Sequence, residues 1–232
     1  MANRPLRIGG VEPFSTVDFP GHLAAVVFCQ GCPLACGYCH NPDLIPATAE
    51  RMLDFEEVLS AIAARRGFID GVVFSGGEPL AQAALADAVD RVRAMGLAVA
   101  LHTAGTAPAL LQTLLPRLDW VGFDVKAPFA DYAGVTGVAP AGAKALRSLE
   151  ILAAAGVPYE VRTTVWPDRL DAAALRSIAF ALDQIGVSRF VLQECRTPDR
   201  VAWPGKTALD DTALMAELGA KFQDFEVRRA QH

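Results

Sequence analysis

The sequence predicts an α/β fold of parallel strands, most closely a partial (β/α)6 TIM-like barrel. Short apolar runs alternate with longer helical patterns along the 232 residues, of which 52% are hydrophobic. Alternation of this kind is typical of βαβ units, whose strands pair in parallel. Six units are too few to close an eight-fold barrel, so a partly open barrel is expected. A doubly wound open sheet is the alternative.

Six apolar runs bounded by turn residues are predicted as strands. They occupy residues 22–28, 71–74, 97–101, 120–123, 159–165 and 190–192. The first helix is predicted to begin after Asp54, with Glu57 as its capping-box partner. Further helical patterns lie at 82–95, 107–116, 142–155, 170–186 and 210–222. We therefore expect a single domain over residues 1–232, with a core of about 22–195 and a C-terminal helix.

Composition and charge exclude several classes of function. The formal net charge of −5 argues against broad binding to a phosphate backbone, which needs a basic surface. No apolar run is long enough to span a membrane, and the polar N-terminus lacks the apolar stretch of a signal peptide. A cytoplasmic protein that binds neither nucleic acid nor membrane is expected.

Polar and reactive residues follow the predicted strands at their carboxyl ends. Because the carboxyl ends of parallel strands share one rim, these side chains are expected to meet in a single ligand site. The group comprises the cysteines after the first strand, residues 76–79 after the second, Thr103, Asp124, Lys126, Arg162 and Gln193.

Four of the five cysteines lie between positions 29 and 39. In a reducing compartment such crowding favours metal ligation over disulfides. Cys32, Cys36 and Cys39 have the spacing C-x3-C-x2-C, and thiolates are soft ligands suited to iron–sulfur clusters, zinc or copper. A fully ligated [4Fe–4S] cluster takes four thiolates. Three would leave one iron open to the amino and carboxylate groups of a substrate such as S-adenosylmethionine.

Cys29 offers an alternative, because it forms a C-x2-C pair with Cys32 and the four cysteines could bind zinc. Structural zinc usually needs two knuckles set further apart in sequence. Cys29 also continues an apolar strand, where a small buried thiol is ordinary. Cys195 stands alone, and packing or incidental exposure is its expected role.

The cysteine spacing, with the aromatic Tyr38 before the last cysteine, resembles the radical S-adenosylmethionine superfamily. The resemblance implies that Cys32, Cys36 and Cys39 hold a [4Fe–4S] cluster. It also implies that Tyr38 lies near the adenine of S-adenosylmethionine.

A second motif, at the end of the second predicted strand, supports the first. Gly76, Gly77, Glu78 and Pro79 resemble the GGEP motif of that superfamily, which implies that they receive the methionine amino group of the cofactor. The glycines let the backbone come close to a ligand, and Glu78 supplies a charge for an ammonium.

Longer segments narrow the resemblance to the activases of glycyl-radical enzymes. FSTVDFPG before the first strand and CHN at the last cysteine resemble those activases. Four further segments are similar to one subgroup, the activating proteins of anaerobic ribonucleoside-triphosphate reductase. These segments are DGVVFSGGEPL, FDVKAP, YEVRTT and LQ. The similarity extends from about Ile8 to about Thr197 and makes residues 8–21 an activase-like N-terminal segment.

The resemblance implies a function. A one-electron donor such as flavodoxin or ferredoxin reduces the cluster, S-adenosylmethionine is cleaved, and the 5′-deoxyadenosyl radical takes hydrogen from a glycine of a large partner enzyme. The implied partner is anaerobic ribonucleotide reductase. Two alternatives are open: a radical enzyme acting on a small molecule, in deazaguanine or cofactor biosynthesis, and a metal-binding or electron-carrying module without catalysis.

The resemblance also assigns residues on the later strands. It places Lys126 at the cofactor carboxylate and Arg162 in a similar position, while Thr103 and Gln193 complete the predicted cofactor-binding set. Strand alternation puts Glu160 and Arg162 on one face. The alternatives are a buried Glu160–Arg162 ion pair without a ligand, a solvent-exposed Lys126, and a Gln193 amide that merely ends its strand.

His102 departs from the activase pattern. Related activases often carry Asp-Thr in the third strand and an aspartate in the fourth, and some bind a monovalent cation there. Here His102 precedes Thr103 while Asp124 is kept. Neutral imidazole is a poor ligand for an alkali cation, so no such site is expected. His102 is interpreted as a strand-end histidine with satisfied hydrogen bonds, and His40 as a residue that shapes the cysteine loop.

A partial barrel leaves a lateral gap through which a glycine of another protein could reach the cluster. FSTVDFPG and the loop 127–137 are rich in turn-forming residues and are expected to border that gap. Tyr132 is a candidate interface anchor there, and packing of the loop is its alternative role.

Overall fold

The computed structural model describes residues 5–196 and 203–229. The ends of the predicted domain, 1–4 and 230–232, and the Thr197 limit of the activase resemblance lie outside these ranges. The described chain forms one eight-stranded sheet whose strands follow one another in chain order. Helices cover the outer face of this sheet.

The sheet contains the six predicted strands and one further strand at each edge. The first strand is antiparallel to the second, and all other neighbours are parallel. The strands are β1 (Ile8–Ser15), β2 (Ala24–Cys29), β3 (Gly71–Gly76), β4 (Ala98–Thr103), β5 (Trp120–Asp124), β6 (Tyr159–Val165), β7 (Arg189–Glu194) and β8 (Asp224–Arg228).

The two edge strands explain why the predicted count of six was too low. β1 contains Gly9, Gly10 and Pro13, which weaken a strand pattern. In β8, charged residues occupy three of the five positions of the segment DFEVR. Both strands are specified by pairing with a neighbour rather than by local preference. They lie at opposite edges of the sheet, so the barrel is open, as predicted.

Seven α-helices lie within the described ranges. The α1 N-cap was predicted correctly, because the Asp54 carboxylate accepts hydrogen bonds from the N–H groups of Glu56 and Glu57. No helix of the described chain is long and apolar enough to cross a membrane. The helices are α1 (Phe55–Ala63), α2 (Leu85–Ala94), α3 (Pro108–Leu114), the unpredicted α4 (Tyr132–Thr136), α5 (Ala141–Ala153), α6 (Ala172–Ile185) and α7 (Thr212–Gly219).

Alternation along the strands produces two apolar layers. Side chains on the outer face, such as Phe74, Phe123 and Phe190, pack against the helices in one continuous core. A smaller cluster fills the lower interior of the barrel, near the amino ends of the parallel strands. Its buried members are Phe19, Ala24, Val26, Val73, Ala100 and Trp120.

Residues 16–21, here called the strap, connect β1 to β2 and supply part of the inner cluster. Phe19 is 2% exposed. Its ring stacks on His22 at 4.0 Å and lies 6.3 Å from Trp120. At the start of β3, a Cβ on Gly71 would lie 3.0 Å from the Phe19 ring. Phe19 of the strap therefore fills the lower end of the barrel and leaves space above it.

The inner face of β6–β8 carries ion pairs. Glu160 is 2% exposed and pairs with Arg189 at 3.0 Å and with Arg228 at 2.8 Å. Arg162 pairs with Asp124 of β5 at 2.8 Å. The alternative of a buried Glu160–Arg162 pair is therefore wrong, because each residue has a partner on a different strand.

Candidate active site

A cavity of about 270 Å³ opens at the carboxyl ends of β2–β7, above Phe19 of the strap. All the residues predicted to hold a cluster or cofactor line this cavity, with the exception of Pro79. Pro79 is buried as the first residue of a short 3-10 turn, Pro79–Ala81, where its missing N–H costs nothing. Pro79 therefore supports the conformation of the turn and does not line the cavity.

The GGEP turn and the cysteine loop are joined by backbone hydrogen bonds, so the two motifs have a fixed separation. The N–H of Gly77 donates to Cys29 at 2.9 Å, and that of Glu78 donates to Gly31 at 3.0 Å. Gly76 has a φ of +107°, and a Cβ there would lie 2.5 Å from the Cys29 nitrogen. A Cβ on Gly77 would lie 2.5 Å from the Gly31 oxygen. Close backbone contact therefore requires both glycines.

Glu78 is 1% exposed and uses both carboxylate oxygens within the protein. Oε1 accepts from the Thr103 hydroxyl at 2.6 Å and from the N–H of Leu80 at 3.0 Å. Oε2 accepts from the N–H of Ala104 at 2.8 Å, and the Thr103 oxygen accepts from Gly105 at 2.9 Å. Burial raises the pKa of Glu78, although these hydrogen bonds oppose the shift. Glu78 and Thr103 thus tie the GGEP turn to the end of β4.

Three cysteines of the cysteine loop line the cavity, and all three are free thiols: Cys32, Cys36 and Cys39. Cys29 is 0% exposed in β2 and packs in the outer core. Burial raises the pKa of the Cys29 thiol far above its usual range, so it stays protonated. In the described ranges no three Cys, His, Asp or Glu side chains converge on a position for one metal ion. The burial of Cys29 counts against the four-cysteine zinc alternative.

The cysteine loop rests on two supports that the sequence did not indicate. The N–H of Ala35 donates to Thr136 at the end of α4, at 2.9 Å. Trp166, directly after β6, packs over Gly37, where a Cβ would lie 2.6 Å from the indole. The Trp166 ring is also 5.8 Å from that of Tyr38. Contacts from two separate strand–helix connections therefore fix the loop.

Loop 127–137 contributes one of these supports and does not line the cavity. Tyr132 is 1% exposed, and its hydroxyl accepts a hydrogen bond from the N–H of Lys126 at 3.0 Å. The prediction of Tyr132 as an interface anchor is therefore wrong, and its alternative role of packing the loop is the one observed. The strap does reach the cavity, through Asp18.

The ends of β5 and β6 place one acid and two bases in contact. Asp124 accepts from Nε of Arg162 at 2.8 Å and lies 3.4 Å from Nζ of Lys126. Burial raises the pKa of Asp124, but Arg162 and Lys126 outweigh this and hold it at about 2. A Cβ on Gly122 would lie 2.8 Å from the guanidinium, so glycine makes room for it. The side chain of Lys126 is only 17% exposed, which rules out the solvent-exposed alternative.

Two side chains at this side of the cavity have polar atoms that make no hydrogen bond within the described chain: the Nη atoms of Arg162 and the hydroxyl of Tyr38. Arg162 is 9% exposed, and only its Nε hydrogen-bonds to the protein. The buried hydroxyl of Tyr38 has no hydrogen-bond partner. Nζ of Lys126 lies 5.9 Å from the centre of the Tyr38 ring. The open Nη atoms of Arg162 are available to a ligand in the cavity, and the Tyr38 hydroxyl is a buried group that the protein leaves unpaired.

His102 lines the cavity with both ring nitrogens engaged. Nε2 donates to the Asp18 carbonyl at 2.9 Å, and Nδ1 accepts from the Ser75 hydroxyl at 3.3 Å. Burial and the nearby Arg162 lower the pKa of His102 to about 4, so the ring is neutral. The interpretation as a satisfied strand-end histidine is confirmed. Its contact with the strap was not predicted, because the two residues are 84 positions apart.

The remaining predicted residues have simpler surroundings. Gln193, near the end of β7, lines the cavity. His40 lines it beside Tyr38, with 6.4 Å between ring centres. Cys195 is 0% exposed, which agrees with a packing role.

The family model of the Radical SAM superfamily matches residues 26–181, more than half of the chain. The chain therefore belongs to the Radical SAM superfamily. It is an enzyme of a family that uses a [4Fe–4S] cluster and S-adenosylmethionine.

Named relatives indicate one group within the superfamily. A provisionally named glycyl-radical enzyme activating enzyme of Methanocaldococcus jannaschii is 31% identical over 74% of this chain and 73% of its own length. The pyruvate formate-lyase-activating enzyme of Clostridium pasteurianum is 38% identical over 52% of each chain. The resemblance to glycyl-radical-enzyme activases is thereby confirmed. The narrower resemblance to ribonucleotide reductase activators depends on the sequence segments alone.

Solved structures share the fold. SuiB of Streptococcus suis bound to S-adenosylmethionine aligns with a TM-score of 0.64 over 87% of this chain and 48% of its own, at 10% identity. The protein anSMEcpe with bound AdoMet and a peptide aligns with a TM-score of 0.62 over 86% and 61%, at 15% identity. These likenesses confirm the predicted partial barrel.

Proposed function

We propose that this chain activates a glycyl-radical enzyme, and that its partner is anaerobic ribonucleoside-triphosphate reductase. The observation that carries the proposal is the meeting of three free thiols and the unpaired Nη atoms of Arg162 in one cavity. Soft thiol donors suit an iron–sulfur cluster, and a guanidinium with open N–H groups suits a carboxylate. A cluster with bound S-adenosylmethionine would use both.

The residues present fit these cofactors. Cys32, Cys36 and Cys39 would hold the cluster and leave one iron open. When bound, the cluster and S-adenosylmethionine supply one-electron cleavage of the sulfonium bond and a carbon radical that takes a hydrogen atom from glycine. The electron would come from a donor such as flavodoxin or ferredoxin. The protein supplies orientation and a dry site.

Other side chains would fix the pose of S-adenosylmethionine. Arg162 and Lys126, held in place by Asp124, would receive the cofactor carboxylate. The unpartnered hydroxyl of Tyr38 lies beside them and would face the nucleoside. Gly76 and Gly77 would bring the backbone near the amino group. Glu78, Thr103 and Gln193 border the same space.

The identity of the partner is supported by sequence segments, and a second candidate is supported by relatives. FDVKAP spans residues 123–128 and YEVRTT lies on β6, and both segments are similar to ribonucleotide reductase activators. Two relatives named as pyruvate formate-lyase-activating enzymes favour pyruvate formate-lyase instead. A cytoplasmic location is part of the proposal, because free cysteines of this kind require a reducing compartment.

Electron paramagnetic resonance on partner enzymes tests the proposal. The anaerobically reconstituted, reduced chain would be mixed with S-adenosylmethionine and with either anaerobic ribonucleotide reductase or pyruvate formate-lyase. We expect a glycyl-radical doublet on the reductase and transfer of deuterium from its labelled glycine into 5′-deoxyadenosine. Cys36→Ala is the matched control and should produce neither signal.

The other outcomes separate the alternatives. A doublet only on pyruvate formate-lyase would keep the activase function and replace the partner. Deuterium transfer only from a small metabolite, with no doublet on either enzyme, would overturn the activase function in favour of a small-molecule radical enzyme.

A further inference from the structure

His102 occupies an unusual place in the barrel. It faces inward from the end of β4, on the same face as Ala98 and Ala100. These two small residues leave the interior free for the strap. The imidazole is 9% exposed and packs edge-on against Trp120, with 5.6 Å between ring centres. His102 therefore lies between the apolar cluster below and the cofactor cavity above.

The hydrogen bonds of His102 have a defined direction. The Asp18 carbonyl can only accept, so Nε2 carries the proton. Nδ1 is then the acceptor for the Ser75 hydroxyl of β3. A neutral imidazole has one donor and one acceptor, and both are used here. The ring is thereby fixed in one tautomer and one orientation.

Within the described ranges, the bond to Asp18 is the only hydrogen bond that joins the strap to the strands beyond its own hairpin. The other strap bonds are local. The Asp18 carboxylate accepts from the Ser15 hydroxyl at 2.5 Å, and the Val17 N–H donates to the same hydroxyl. Packing of Phe19 anchors the lower end of the strap. His102 is its upper anchor.

The strap lies between solvent and the cavity. Val17 is 83% exposed, whereas the next residue, Asp18, lines the cavity. The strap therefore presents Asp18 to a polypeptide segment that occupies the cavity. The cofactor-binding groups of β5 and β6 lie on other strands and do not contact the strap by any hydrogen bond in the described chain.

We propose that His102 is a positioning residue that holds the strap at the cavity wall, where the strap receives the backbone segment carrying the partner's glycine. The inference rests on the proposed function and extends it to substrate capture. Loss of the His102 hydrogen bond frees Asp18 while Phe19 stays anchored. Capture of the polypeptide substrate is then weakened more than binding of S-adenosylmethionine.

Steady-state kinetics on the reconstituted holoenzyme test this role. The probes are synthetic peptides that copy the glycine loops of anaerobic ribonucleotide reductase and pyruvate formate-lyase, and the readout is 5′-deoxyadenosine formation. His102→Phe keeps an aromatic ring against Trp120 but removes both hydrogen bonds. We expect it to raise KM for the active peptide about five- to tenfold, the effect of one lost hydrogen bond. S-adenosylmethionine affinity should change less.

Two further variants separate positioning from general structural damage. His102→Gln keeps an N–H donor near the Nε2 position and should restore most of the peptide affinity. His22→Phe keeps the ring stacked on Phe19, lies outside the cavity, and should remain within about twofold of the wild type. Hydrogen–deuterium exchange should show faster exchange of residues 16–21 in His102→Phe only.

Each other outcome has a distinct meaning. A wild type that responds to a peptide, with an unchanged KM in His102→Phe, would overturn the inference alone. Unchanged exchange of residues 16–21 in that variant would do the same. A wild type that responds to neither peptide and forms no radical on either enzyme would overturn the proposed function and the inference together.

Discussion

The two sides of the cavity differ in how far the protein satisfies its own polar groups. On the GGEP side, the Glu78 carboxylate accepts three hydrogen bonds, and the Thr103 hydroxyl takes part in two. On the β5–β6 side, Arg162 uses only Nε, and the buried Tyr38 hydroxyl has no partner. On the first side the protein itself engages the motif carboxylate, whereas on the second side guanidinium donors stay open to a ligand.

This difference changes how the motif residues are interpreted. The sequence suggests that Glu78 supplies charge for the cofactor ammonium, yet both its oxygens are committed to the protein. Its first role in the structure is to hold the GGEP turn against β4. Arg162 belongs to a less specific segment, but it has the open donors that a carboxylate needs. A residue in a highly specific motif is therefore not necessarily the residue that contacts the ligand.

The largest expected effect concerns the cysteines. We expect the cluster to be abolished by each of three substitutions, Cys32→Ala, Cys36→Ala and Cys39→Ala. The protein supplies only three thiolates for four irons, so the loss of one would leave two irons without a protein ligand. Cys29→Ala should retain about four iron and four sulfide per chain, as in the reconstituted wild type. Iron and sulfide analysis with absorption spectra measures both.

Cys29→Ala also serves as the control for this comparison. Its side chain is buried in β2, so the substitution tests packing without touching the cavity. Loss of metal in Cys29→Ala, together with zinc in the wild type, would favour the four-cysteine zinc site instead.

The next effect separates the two sides of the cavity directly. Glu78→Ala would leave the Leu80 and Ala104 N–H groups without an acceptor, so we expect the free energy of unfolding to fall by at least about 2 kcal/mol. Arg162→Ala should weaken S-adenosylmethionine binding by roughly 1.5–3 kcal/mol with a smaller loss of stability. Urea denaturation and equilibrium binding measure the two quantities.

Conservative variants sharpen this test. Glu78→Gln keeps the shape of the side chain and should retain more stability than Glu78→Ala. Arg162→Lys keeps the charge but loses the planar pair of Nη donors, so affinity should recover only in part. Equal stability loss in Glu78→Ala and Arg162→Ala, with equal affinity loss, would erase the distinction between the two sides.

The sequence predicted the parts of the fold that local pattern controls. Buried parallel strands are continuous apolar runs, so β2–β7 were found, and the cysteine and glycine spacing identified both loops. β1 and β8 depend on pairing with a neighbour. The sequence left the role of Tyr132 open because turn-forming residues suggest an exposed loop, whereas α4 packs that loop against the cysteine segment.

The sequence alone could not predict which side chains hydrogen-bond to each other within the site. Asp124 and Arg162 are 38 positions apart, and His102 and Asp18 are 84 apart. Nothing in either local pattern indicates the other member of the pair. The sequence placed Glu160 and Arg162 on one face correctly, but it could not show that Arg189 and Arg228 take the carboxylate of Glu160.

The smallest expected effect is a pH dependence of the free energy of unfolding, which arises at the end of β4 on the GGEP side of the cavity. The folded-state pKa of His102 is about 4, below its ordinary 6.5, chiefly because of burial. The unfolded chain therefore binds this proton more readily, and the free energy of unfolding falls as the pH drops from about 6.5 to about 4. Asp124, with a pKa of about 2, adds a loss only at lower pH, below its ordinary 3.8. His102→Phe should flatten the stability curve in the upper window, measured by urea denaturation across that range. An unchanged slope in His102→Phe would show that the buried imidazole does not titrate as its surroundings require.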